Sequence, residues 1–221
     1  MTATTAPDFR VLRTDVPRLD AEPGIALTLL VLGADGVCCA GVDLDTGVLV
    51  RAWAPAPAER SLRPYDVIRV VVGPDPEEMP DPAAPEALYL SEPPEPIGRL
   101  QGRRVERLLR PLLHPTNAPL LSSHGPAVPF WERRRDHPSV ALVEPLGPVV
   151  LRRDETYLGC RFEWQGTMRE LPCLDRRLAA AMDRSGRRRM TAGPRSRLLV
   201  ALTPPIDGHC HKVVEGVLPR P

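Results

Sequence analysis

Cys38-Cys39-Ala40-Gly41-Val42-Asp43-Leu44-Asp45-Thr46-Gly47-Val48-Leu49-Val50-Arg51 reads as a strand, a tight turn and a second strand that ends on an arginine. Asp45-Thr46-Gly47 carries the turn, because glycine takes positive φ without a Cβ clash and aspartate bonds its own backbone locally. The flanks, residues 37–42 and 48–53, are short and apolar. A hairpin with one charged residue leaving its second strand points to a small barrel that presents a ligand contact.

Further strands follow from the same pattern on either side. Upstream, IALTLLVLG at 25–33 is a buried strand, and residues 1–23 form a loose polar arm with one short strand at 9–12. Downstream, DVIRVVV at 66–72 is a strand with Arg69 as its charged interruption. Residues 73–96 are dense in proline and acid (PDPEEMPDPAAPE, then SEPPEP) and predict an extended loop, broken by a short strand at 87–90. Leu100, Val105, Leu108, Leu109, Leu112 and Leu113 recur at helical spacing, with Arg103, Arg104, Arg107 and Arg110 on the other faces and Pro115 as the stop. Residues 114–138 read as a linker loop anchored by Phe130-Trp131.

A second run of strands occupies 140–144, 149–153, 156–164 and 167–171, the last two joined by a Gln165-Gly166 turn. Asp175 caps a helix over 175–185 that ends near Gly186. Strands at 197–203 and 210–217 close the chain around Pro204-Pro205. The 28 prolines argue against long helices. The expected fold is therefore all-β with minor helix: two OB-like β-barrels linked by a helix and a Pro-rich loop. Residues 24–113 hold the first barrel with the connecting helix, and 139–221 hold the second.

Composition narrows the function classes. A net charge of +1 over 221 residues gives no global field toward nucleic acid or membrane. No window approaches the roughly 20 apolar residues of a membrane helix. No basic start followed by an apolar run marks a leader, and five cysteines without framework spacing read as reduced thiols, so the expected location is cytoplasmic. Lys212 is the only lysine; the other basic residues are arginine. GC-rich coding writes arginine, proline and alanine freely, so an arginine run alone carries little weight.

Leu30-Val31-Leu32, Cys39 to Asp43, Thr46-Gly47, Arg51, Asp66-Val67-Ile68 and Ser139 to Val143 resemble the dual OB-containing domain family of bacteria. The tail, Leu198 to Thr203 and then Cys210-His211-Lys212-Val213-Val214-Glu215-Gly216-Val217, resembles that family's closing strands. The likeness covers about residues 25 to 218 and rests on the order and spacing of short motifs. Where the family flanks its first arginine with tryptophan and proline, this chain has Leu49 and Ala52, with Trp53 one step on; His211 stands where the family carries an aromatic. The resemblance implies two OB folds and a nucleic-acid-related role in bacterial conflict or mobile-element systems.

The candidate binding residues follow from phosphate and base chemistry. Arg51 on a barrel strand can hold a phosphate bidentately. Arg184, Arg187, Arg188 and Arg189 form a local positive cluster after a helix. Trp131, beside Phe130 and Arg133-Arg134-Arg135, offers base stacking. His209-Cys210-His211, with or without Cys38 and Cys39, lacks zinc-ligand spacing, so no metal is assigned. His124, His137, Cys173 and Ser122-Ser123 sit in no recognisable nucleophile context, and no glycine-rich phosphate loop opens a helix, so no catalytic residue and no cofactor are assigned. The expected function is non-enzymatic nucleic-acid binding, with single-stranded DNA or RNA as partner and no membrane association. Two alternatives stand beside it: a protein-interaction scaffold docking through 73–96, and a nucleotide or small-molecule sensor with its pocket between the barrels.

Overall fold

The apolar run beginning at Ala26 does not alternate with polar residues because both of its faces are covered. The computed structural model describes residues 19, 21–56, 58, 61–75, 84–133 and 137–221, and it is mostly β-sheet. The expected strand at 9–12, most of the N-terminal arm and the proline-acidic residues 76–83 lie outside the described residues.

The first sheet contains β1 (Ala26–Ala34), β2 (Cys38–Asp43), β3 (Leu49–Trp53), β4 (Asp66–Val71), β5 (Ala87–Tyr89) and β6 (Glu95–Arg99), in the order β5-β3-β2-β1-β4-β6. The β2–β3 hairpin pairs Cys38 with Trp53 and Val42 with Leu49. Its turn is held by Asp43, which accepts from the Thr46 backbone N–H and hydroxyl. All pairs are antiparallel except β3–β5. A bridge between Val72 and Leu90 brings the ends of β4 and β5 together, so the sheet curls into a half-barrel.

The remaining elements are α1 (Arg103–Leu109), β7 (Ala127–Pro129), β8 (Val140–Val143), β9 (Val150–Arg153), β10 (Leu158–Trp164), β11 (Thr167–Pro172), α2 (Arg176–Ser185), β12 (Arg189–Thr191), β13 (Arg197–Leu202) and β14 (His209–Leu218). They build two four-stranded sheets, β11-β10-β9-β12 and β7-β14-β13-β8. A parallel bridge between Cys173 and Val214 joins the two on one side. The short connections β8–β9 and β12–β13 join them on the other.

Strand periodicity of two then sorts the apolar residues into three cores. Leu29 and Val31 of β1 pack with Cys39, Val50, Ile68 and Leu88 inside the first sheet. Leu198, Val200 and Leu202 of β13 pack with Leu151, Phe162 and Trp164 between the other two sheets. The intervening residues Leu30 and Leu32 of β1 meet Leu199 and Ala201 of β13, Val140 and Leu142 of β8, and Val105 and Leu109 of α1 in a third core between the two bodies. Each fully buried aliphatic side chain contributes about 1.5–3 kcal/mol, so this seam is a large fraction of the total stability.

Four elements differ from the sequence expectation, among them β12, where the sequence predicts no strand. The helix expected over 100–113 is α-helical only at Arg103–Leu109 and then tightens into a 3-10 turn, Arg110–Leu112. Pro111 is the reason: it offers no N–H and its ring conflicts with the carbonyl four residues back. The short strand expected at 87–90 is β5, but the loop assigned around it also holds the start of β6, which pairs with β4. The segment 114–138 contributes β7, which pairs with the start of β14. α2 follows its expected signals: the Asp175 carboxylate accepts from the Leu178 N–H at 3.1 Å, and Gly186 ends it at φ 63°.

Candidate nucleic-acid interface

The sheet β11-β10-β9-β12 has an inward row, Met190–Leu151–Cys160–Leu171, and two outward rows. One outward row runs Arg189–Arg152–Gly159–Pro172, the other Thr191–Val150–Arg161–Glu170. Arg152 and Arg189 therefore stand directly opposite each other, and both are exposed. Like charges in that position repel. No carboxylate lies within ion-pairing distance of either among the described residues.

The neighbouring arginines reach this edge through the end of α2. Gly186 turns the chain, the Arg187 N–H bonds the Met182 carbonyl, and the Arg188 carbonyl accepts from the Arg153 N–H at 2.9 Å. Arg184, Arg187 and Arg188 are exposed as well. Arg153 alone in this group is paired, to Asp183 at 3.1 Å. The structure thus brings Arg184, Arg187, Arg188 and Arg189 together and adds Arg152.

An aromatic shares the face. Asp154 accepts from the backbone N–H groups of Thr156 and Tyr157, both at 2.8 Å, and these bonds hold its carboxyl below the usual range. The turn sets Tyr157 two residues before Gly159, on the same side of the strand. A Cβ on Gly159 would lie 3.3 Å from the Tyr157 ring, so glycine is what lets that ring rest on the sheet. Tyr157 is 44% exposed. Arg152 and Tyr157 were missed in the sequence. The outward alternation of VLRR and TYLG is visible there, but which strand lies beside which is not.

Trp131 occupies a different place. It is 71% exposed on a 3-10 turn after β7, edge-on to His209 with ring centroids 5.5 Å apart. It flanks the sheet β7-β14-β13-β8, whereas the arginine cluster lies on the other four-stranded sheet. Arg134 and Arg135 lie outside the described residues.

Arg51 requires a correction. It points off β3 toward the second body and is 3% exposed. Its Nη2 meets Glu215 Oε1 of β14 at 2.5 Å, and its Nη1 donates to the Leu202 carbonyl at 3.0 Å. Glu215 holds the guanidinium above its ordinary range against the opposing effect of burial. The outer face of β3 is a docking surface between the two bodies, so this arginine is not offered to a phosphate. Glu86 continues the polar seam, accepting from the Ser139 N–H at 3.0 Å and from its hydroxyl at 2.6 Å.

The thiols are interior groups. All five cysteines are buried without a disulfide, and burial pushes Cys39 and Cys173 up to about 12. Among the described residues, no three His, Cys, Asp or Glu side chains gather in a metal-holding arrangement. Nor is any helix among them long and apolar enough to cross a membrane. A cavity of about 180 Å³ between the bodies is lined by Ala34, Leu62, Asp175, Arg176, Arg177 and Glu215, among others. No protein-family model, curated protein or solved structure matches the chain.

Proposed function

We propose that this chain is a non-enzymatic nucleic-acid-binding protein of two OB-like rings, which takes single-stranded DNA or RNA on the β9–β10–β12 face. The observation that carries the reading is the opposition of Arg152 and Arg189 on an exposed sheet face, beside three further exposed arginines and Tyr157. A repulsive pair with no carboxylate in ion-pairing distance among the described residues is relieved by a polyanion, although Glu170 shares the face. Guanidinium groups take phosphate oxygens bidentately, while the tyrosine ring gives a base a stacking surface.

The strand order supports the OB-like part. Such a barrel is a five-stranded Greek-key ring. In the first body β1-β2-β3 continue through a parallel β5 to β4, which returns to β1. In the second, β9-β10-β11 touch β14 in parallel at Cys173–Val214, and β14 leads through β13 to β8, with β12 returning to β9. OB barrels bind oligonucleotides on one strand face and its flanking loops. The first body's corresponding face is occupied by Arg51, Glu215 and the seam, which leaves the second body as the binding surface.

Fluorescence anisotropy of labelled oligo(dT) and oligo(U) across about 50 to 200 mM salt tests the proposal. Binding should weaken steadily with salt, and R152A/R189A should flatten the salt slope by roughly two phosphate contacts. Y157A should weaken binding by about 1–3 kcal/mol at every salt concentration. Absence of binding at low salt, or binding that ignores salt and both variants, overturns the reading.

A further inference from the structure

Arg197 opens β13 opposite Leu218 and is 6% exposed. Its Nε donates to Glu144 at 2.9 Å and its Nη2 to Glu106 at 2.7 Å. Its Nη1 is buried and has no hydrogen-bond partner among the described residues. A buried guanidinium donor without an acceptor is uncommon, and among the described residues Arg51 Nε shares the condition. Arg197 lines a cavity of about 310 Å³ together with Arg103, Arg195, Arg220, Glu106 and Glu144.

Charge around that cavity is unbalanced. Four guanidinium groups face two carboxylate side chains, and both carboxylates are already bound to Arg197. The Arg197 hydrogen bond holds Glu106 below the usual carboxyl range, so that side chain is ionised at neutral pH. Arg103, Arg195 and Arg220 are exposed and have no ion pair among the described residues. They come from three separate segments: the start of α1, the turn before β13 and the chain after β14. Arginine forks match the geometry of phosphate oxygens, and the cavity is at the small end of ligand pockets, about 300–1,000 Å³.

We infer that this cavity binds one phosphate group, with Arg103, Arg195 and Arg220 as the charges that contact it and Arg197 as the fixed buried charge behind them. The group belongs to a nucleic-acid strand end or to a free mononucleotide; the recognised chemistry is the same. The cavity shares no residue with the arginine face, so the inference does not depend on the proposed function.

Calorimetric titration with inorganic phosphate and with a nucleoside 5′-monophosphate tests it. The wild type should bind both, and R195A/R220A should weaken binding at least tenfold while its melting temperature stays near wild type. R152A/R189A should leave this binding unchanged, which separates failure here from failure of the nucleic-acid face. A 5′-phosphorylated oligonucleotide preferred over its 5′-hydroxyl form assigns a strand end; a mononucleotide binding as tightly as that oligonucleotide assigns the free nucleotide. Either result upholds the pocket. No binding at millimolar phosphate, equal affinity for acetate, or undiminished binding by R195A/R220A overturns it.

Discussion

Replacing Arg51 with methionine should destabilise the protein by about 3–5 kcal/mol, the cost of stranding one partner of a buried ion pair. The contacts show where that energy sits. The substitution removes a charge-assisted bond to the Leu202 carbonyl at 3.0 Å, itself worth about 1.5–3 kcal/mol. It also leaves Glu215, 6% exposed, without its cation. Burial pushes the Glu215 carboxyl up and Arg51 is what pulls it down, so the lone carboxyl should take a proton. Its folded pKa would then exceed the unfolded value of about 4.3. The folded form binds the proton more readily, so this contribution is full below that unfolded value and is lost as pH rises through the folded one. Arg51→Met should therefore recover part of its deficit in mild acid. The double variant R51M/E215L leaves only the Leu202 carbonyl unpartnered and should cost about 1–2 kcal/mol. Urea unfolding at pH 5 and pH 7 reads these differences from the midpoints at constant m. Single and double variants of equal cost, or a single variant within about 0.5 kcal/mol of wild type, would refute a coupled pair across the seam.

Four further outcomes are expected. A Cβ at Gly216 would lie 2.7 Å from the Leu32 carbonyl oxygen, where β14 crosses β1, so Gly216→Ala should cost about 1–3 kcal/mol in urea unfolding. At Gly98 a Cβ meets nothing within 4 Å, and Gly98→Ala should stay within about 0.5 kcal/mol of wild type. Burial lowers the Lys212 ammonium to about 8 from an unfolded value of about 10.4. The unfolded chain binds the extra proton between those values, so stability should rise with pH across that window, and Lys212→Met should abolish the rise in urea midpoints compared at pH 7.5 and 9.5. Asp175→Ala removes the cap of α2 and its bond to the Val217 N–H, which should cost about 1–2 kcal/mol and lower the thermal midpoint.

The strands were legible because their apolar runs and turn residues are local signals. Residues 38–42 and 48–53 form the predicted hairpin, and Asp175 and Gly186 bracket α2 as read. Short elements whose stability comes from a partner strand escaped: β7 and β12 have three residues each and little pattern of their own. Arg51 shows the limit most clearly. Its position on a barrel strand is written in residues 48–51, but the carboxylate that captures it lies 164 positions away. The same holds for Arg152 and Arg189, whose opposition depends on pairing between distant segments. The clustering of Arg184, Arg187, Arg188 and Arg189 was legible because they are near one another in the chain, and local adjacency survives folding.

The crossing of β1 and β13 has a consequence for handling the molecule. Leu30 and Leu32 on one side and Leu199 and Ala201 on the other are buried in a core that both lobes and α1 build together. Neither lobe expressed alone would have a wettable flank there. Such a truncated product would pair with its own copies or precipitate, so cutting this protein into separate working modules is closed off by its anatomy.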